Sequence, residues 1–78
     1  MEGNVVYIIC EYMIREGVRQ IHSVHATFDG ANAKLNRLKE INQNAGYKVF
    51  GDFYGGVLVY GDKGLVYEYY VSTRTIEK

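Results

Sequence analysis

Proline is absent from this chain, cysteine occurs once, and neither sign of charge prevails: nine Lys and Arg stand against nine Asp and Glu. Each shortage excludes something. With no proline, repeat, linker or low-complexity stretch to interrupt them, the 78 residues read as one small domain. A domain this size buries only ~60% of the surface its unfolded chain exposes. A lone Cys10 cannot close a disulfide within the chain, so metal binding or self-association is left as the means of reinforcing a thin core. Balanced charge removes the basic footprint expected of a dedicated nucleic-acid binder. Long apolar runs are missing as well. Val5 to Cys10 is too short for a membrane span or a signal peptide, and Met1-Glu2-Gly3-Asn4 has no basic lead-in, so the cytoplasm is the expected compartment.

Tyrosine is abundant, and six of the eight fall in the second half: Tyr47, Tyr54, Tyr60, Tyr67, Tyr69 and Tyr70. A tyrosine buries a large ring and keeps a polar tip, so such a cluster builds a core, a contact surface, or both.

Periodicity divides the chain into six elements. Val5 to Tyr12 is β-branched and aromatic, apolar on both sides, and predicts a central strand. Arg15-Glu16-Gly17 supplies turn chemistry, and Val18 to Ala26 predicts a returning, more exposed strand. Thr27 or Asp29 is placed to cap a helix running to about Ala45. Ala31, Leu35, Leu38, Ile41 or Asn42, and Ala45 recur at helical spacing and give it one apolar stripe, with Gly46 suited to the left-handed stop. Three strands follow, Tyr47 to Tyr54, Val57 to Tyr60 and Leu65 to Thr73, separated by Gly55-Gly56 and by Gly61 to Gly64. Residues 74–78 are expected to fray. The expected architecture is α+β: an antiparallel sheet in the order β-β-α-β-β-β, with one amphipathic helix on one face.

A two-residue turn at Gly55-Gly56 sets Tyr54 opposite Val57 and Gly51 opposite Tyr60. Carried through the next turn, this pairing places Tyr47, Val49, Phe53, Leu58, Tyr60, Leu65, Tyr67, Tyr69 and Val71 beneath the helix. The other face then receives Lys48, Phe50, Asp52, Tyr54, Val57, Val59, Val66, Glu68, Tyr70 and Ser72. One helix covers one face of a sheet, so the second face either closes on itself as a small barrel or meets a second copy or another protein. Phe50, Tyr54, Val57, Val59, Val66, Glu68 and Tyr70 are therefore the expected partner or dimer interface.

Motifs for chemistry are sparse. His22 and His25 fall on opposite faces of a regular strand, which keeps them from sharing a metal, and no metal or cofactor is expected. Glu11, Asp52 and Glu68 have no spacing that marks a carboxylate pair, and the glycine-rich turns do not lead into a helix as phosphate loops do. Cys10, embedded in apolar residues, reads as a small buried hydrophobe. Stacking of a nucleic-acid strand on Phe50, Tyr54 and Tyr70 is opposed by Asp52 and Glu68. Arg15, Arg19, Lys48 and Lys63 are the cations available to hold a compact anionic nucleotide between subunits.

The succession Val5-Val6-Tyr7-Ile8-Ile9, a short hairpin, the junction Ser23-Val24-His25-Ala26-Thr27-Phe28 and the helix Ala31 to Glu40 resembles small uncharacterised phage and bacterial proteins of the host-modulating type. That resemblance implies a stoichiometric binder or inhibitor of host machinery, or one that sequesters a signalling molecule. The expected function is thus non-enzymatic binding of a protein partner by a homodimer, the alternative being a nucleotide or small-ligand binder with an intersubunit pocket.

Overall fold

The run of β-branched and aromatic residues at the start forms strand β1, Asn4–Met13, in a computed structural model that describes residues 4–76. A turn through Gly17 returns the chain as β2, Val18–His25, antiparallel to β1. Helix α1, Phe28–Asn44, crosses over the sheet and leads to β3, Lys48–Asp52, β4, Gly56–Gly61, and β5, Gly64–Ile76. The order across the single antiparallel sheet is β2-β1-β5-β4-β3, so the first and last strands lie side by side at its centre. This is the expected α+β architecture.

Local chemistry sets the helix ends. Thr27, not Asp29, is the cap: its Oγ1 accepts from the Gly30 amide at 3.0 Å, and Asp29 sits in the first turn, where a negative charge suits the helix dipole. At the other end Gly46 takes φ 95°, and the Tyr47 amide donates to the Asn42 carbonyl at 3.0 Å. The buried stripe is Ala31, Leu35, Leu38 and Asn42, whereas Ile41 is 46% exposed. Asn42 satisfies itself by donating to the Leu38 carbonyl at 2.8 Å, which makes a buried amide tolerable there.

Leu35 and Leu38 press on Ile9, Val57, Val59 and Tyr69, with Tyr47, Val49, Phe53, Tyr67 and Val71 around them. Each fully buried Ile, Leu or Val contributes roughly 1.5–3 kcal/mol, so this small cluster carries most of the fold's apolar stabilisation. A further tie runs from Lys39 Nζ to the Gly51 carbonyl of β3, 2.9 Å.

Two departures from the sequence-based expectation reassign the faces. The hairpin between β3 and β4 does not turn at Gly55-Gly56: Asp52 pairs with Gly56, and Phe53-Tyr54-Gly55 form the loop. Asp52 causes this, because its Oδ1 accepts from the amides of Tyr54 (3.0 Å) and Gly55 (2.9 Å), closing an Asx turn. Gly51 therefore faces Val57, and Val49 faces Val59, beneath the helix. A bulge then interrupts the β4–β5 ladder at Val59/Tyr60, so Tyr67 and Tyr69 stay on the helix side as expected. The fraying expected from Arg74 is also corrected, since Arg74, Thr75 and Ile76 pair with Val6, Val5 and Asn4; residues 77 and 78 lie outside the described part.

Candidate functional site

The sheet face without the helix is the most distinctive surface. Alternation along β1 sends Val6, Ile8, Cys10 and Tyr12 to it, since Ile9 faces the helix. Cross-strand partners share a face, so β5 adds Glu68, Tyr70 and Ser72, and β2 adds Arg19, Ile21 and Val24. From β4 and β3 come Leu58, Tyr60, Phe50 and Lys48. Ile21 is 63% exposed, Val24 57% and Phe50 55%, while the centre of the patch is half-buried by its own neighbours. Polar groups are dispersed within it: the Arg19 guanidinium lies 4.6 Å from the centre of the Tyr12 ring, and Glu68 sits between Tyr12 and Leu58.

Of the residues expected on one open face, the structure places some there and others elsewhere. Phe50, Glu68 and Tyr70 are on the open face. Val57 and Val59 are not; they are fully buried under the helix, and Leu58 and Tyr60, with Leu65 opposite Tyr60, take the open face because the Asx turn sets β4 three residues away from the assumed pairing, an odd shift that inverts its faces. Tyr54 is 85% exposed but stands in the β3–β4 loop, near the ring of Phe28, which in turn contacts Phe53 at 4.6 Å and Tyr7 at 6.3 Å. Val66 lies at the bulge beside Gly61 and Tyr47. Cys10, expected inside, is half-buried on the open face opposite Tyr70 and Ile21.

The molecule is thin and extended for its size. The protein exposes 5341 Å², against roughly 4,800 Å² for a typical monomer of its mass. Its radius of gyration is 13.6 Å, where a compact domain of this length has about 11.5 Å. A single helix on a long sheet leaves a thin slab, 17 Å in its shortest extent.

The four cations do not converge. Arg15 and Lys63 line one small cavity of 260 Å³ with Tyr47, Gly61, Asp62 and Val66, at the end of the sheet where two turns meet. Arg19 and Lys48 belong to opposite edge strands. Asp62 offsets part of the positive charge in the cavity.

Beneath the helix lies a polar network that spacing alone did not reveal. Glu11 is buried and accepts from Gln20 Nε2 at 2.7 Å, and the Tyr69 hydroxyl is in reach of Glu11 and of Asn42. Burial, and then the Glu11 carboxylate beside it, hold the Tyr69 phenol protonated well above the ordinary tyrosine range. His22 packs edge-on against Tyr69 with ring centres 6.1 Å apart, and its Nδ1 is buried with no partner. The β1–β2 bulge between Ile9 and Cys10 corrects the expectation for the histidines: by inserting His22, it brings both His22 and His25 to the helix side. They serve different neighbours, His25 Nε2 lying 2.8 Å from Ser23 Oγ. Glu11 and Glu68 are on opposite faces and Asp52 is engaged in its turn, so the three carboxylates do not meet. Among the described residues no cluster of three or more His, Cys, Asp or Glu is placed to hold a metal, and no helix is long and apolar enough to cross a membrane.

Compared with protein-family models, with curated proteins and with solved structures, the chain matches none.

Proposed function

We propose that this is a non-enzymatic binding protein that works by occupancy, engaging a protein partner through the open face of its sheet. The observation that supports it is the contiguous apolar surface of Ile8, Cys10, Ile21, Val24, Leu58, Phe50 and Tyr70, which no element among the described residues covers. Aromatic and aliphatic anchors at the centre with charges among them is the composition of protein contact surfaces. The sheet spans four interstrand spacings, ~19 Å, a size suited to the ~800 Å² that each partner contributes to a standard interface. Such a role agrees with the stoichiometric binding implied by the resemblance to host-modulating proteins.

A photo-crosslinking amino acid placed at Phe50 or Tyr70 tests this in cells, with Asn36 on the exposed side of the helix as the contrast. Discrete protein adducts from the two sheet positions and none from Asn36 are expected. Adducts from Asn36 alone, or from no position, would overturn the reading.

The cavity holding Arg15, Lys63 and Tyr47 supports a second reading, a small anionic ligand held at the turn end of the sheet. A ligand at a hundred times its dissociation constant stabilises by ~2.7 kcal/mol, so a thermal-shift series with phosphate and nucleotides decides it: a shift lost in Lys63→Ala is expected, and no shift removes the reading.

A further inference from the structure

Strand β5 changes environment halfway along. From Tyr67 to Tyr69 it lies between β1 and β4, and Gly56, the first residue of β4, flanks Tyr70; from Val71 to Ile76 it has β1 on one side and, among the described residues, no strand on the other. The Ile14 amide donates to the Val66 carbonyl at 3.0 Å, which fixes the phase of the β1–β5 ladder. Backbone groups then alternate: Tyr70, Ser72, Arg74 and Ile76 direct theirs to β1, while Val71, Thr73 and Thr75 direct theirs outward. A ribbon of two strands is marginal by itself, and its free edge is a template for another strand.

The other edges of the sheet are guarded. Strand β2 is kinked by its bulge and carries Arg19; β3 is only five residues long, carries Lys48 and is interrupted by Gly51. The free half of β5 has no lysine, proline or bulge, and its Val, Thr and Ile residues favour strand pairing. Its one charge, Arg74, is folded back onto Ser72 Oγ (3.1 Å) and the Thr73 carbonyl (3.2 Å), a cover that an incoming strand displaces.

We infer that this segment pairs antiparallel with the same segment of a second copy, about a two-fold axis through Thr73, joining two sheets edge to edge. In that register Thr73 bonds to Thr73, and Val71 bonds to Thr75 of the second copy, so every outward backbone group finds a partner. Ser72 falls opposite Arg74, which exchanges its own serine for that of the second copy, and the ladder ends at Thr75, because Gly56 already flanks Tyr70 where Ile76 of the second copy would come. Neighbouring registers are poorer. Centring on Arg74 sets like charges face to face, and centring on Ser72 directs Thr75 at Tyr69, already paired with Val57. The two-fold axis stands perpendicular to the sheet, so both helices lie on one side and both open faces on the other. The association does not depend on the function proposed above.

Sedimentation across a concentration series tests it with the full chain. The wild type is expected to show a monomer–dimer equilibrium that Thr73→Pro weakens at least tenfold with helix content unchanged, because the Thr73 N–H faces away from β1. Ser72→Pro, whose N–H belongs to the β1 ladder, is expected to destabilise the monomer itself. In a Cys10→Ser background, Thr73→Cys should oxidise to a covalent dimer, since paired residues on the axis lie ~5.5 Å apart at Cα, whereas Ser72→Cys should not. The open-face variant Leu58→Asp should dimerise like the wild type. A wild type that stays monomeric, or a dimer that survives Thr73→Pro and is lost in Leu58→Asp, would falsify the edge pairing; the second result leaves the open face in use as a contact.

Discussion

The two faces of this sheet are built from alternate residues of the same five strands, yet they differ in composition and in cover. Under the helix, Ile9, Val57 and Val59 are sealed, buried Glu11 accepts from Gln20 with the Tyr69 hydroxyl in reach, buried Asn42 donates to the Leu38 carbonyl, and the His22 Nδ1 is buried against Tyr69 without a partner. On the other side Ile21, Val24 and Phe50 stand in the open, with Arg19, Glu68 and Lys48 among apolar neighbours and no closed network. Hydrophobicity does not distinguish a core from a contact surface here. What distinguishes them is how each face treats its polar groups: the covered face buries them and pairs all but the His22 Nδ1 within reach, and the open face leaves them in water.

The sharpest test uses adjacent residues. Val57→Asp puts a charge among Leu35, Leu38 and Tyr69 with nothing to pair it, a cost of several kcal/mol against a total stability of about 5–15 kcal/mol. Loss of the cooperative thermal transition is expected. Leu58→Asp, one residue on but facing the other way, should retain the transition and the native circular dichroism. Equal damage from both would erase the distinction between the faces.

Gly51→Ala probes the device that assigns β4 to its faces. Gly51 has φ 107°, and a Cβ there would overlap the Gly56 carbonyl oxygen across the hairpin. A loss of roughly 2–3 kcal/mol, read by urea denaturation, is expected. A neutral result would mean that the hairpin tolerates another register, and with it another set of residues under the helix.

That hairpin also shows where the sequence was legible and where it was not. The helix could be read from Ala31, Leu35 and Leu38 because its period repeats over several turns and Thr27 and Gly46 mark its ends. The helix-side positions Tyr67, Tyr69 and Val71 could be read because β5 alternates without interruption beyond its bulge, whereas Leu65, before the bulge, could not. The faces of β4 could not. Gly55-Gly56 is the stronger local turn signal, but Asp52 captures two amides with its side chain, and an odd shift in the pairing inverts every side chain that follows. The bulge on the far side of β4 reverses the inversion, so the tyrosines of β5 came out correctly beside a misassigned neighbour. Strand order was closed to the sequence for a different reason: β1 and β5 pair across almost the whole chain, and nothing local encodes that contact.

The buried network offers a smaller, pH-dependent test of the covered face. The Tyr69 phenol is raised above its ordinary value of 10 by burial and by Glu11, so the folded state keeps its proton where the unfolded chain loses it. The stabilisation from this group is complete below pH 10 and declines as pH rises from there toward the folded value, by about 1.4 kcal/mol per pH unit. Tyr69→Phe forgoes hydrogen bonding to Glu11 and Asn42, and should be less stable than the wild type at pH 7 by ~1 kcal/mol. The gap should narrow above pH 10, as measured by urea denaturation across pH. A gap constant with pH would show that the phenol is open to water and the covered face is not sealed.

The smallest expected effect falls on the open face. Ile21 and Val24 lie on an edge strand with more than half their surface in water, so changing both to Ser removes little buried area and should alter stability by no more than about 0.5 kcal/mol. If the face is a contact surface, the same double variant must lose partner crosslinking from Phe50 and Tyr70, because the apolar patch is shortened at its β2 end. Stability and association thus separate on this face, while under the helix a substitution at Val57 abolishes both together. A marked loss of stability in the Ile21→Ser, Val24→Ser variant would instead make the second face part of the folding core, and the contrast between the two faces would be one of degree.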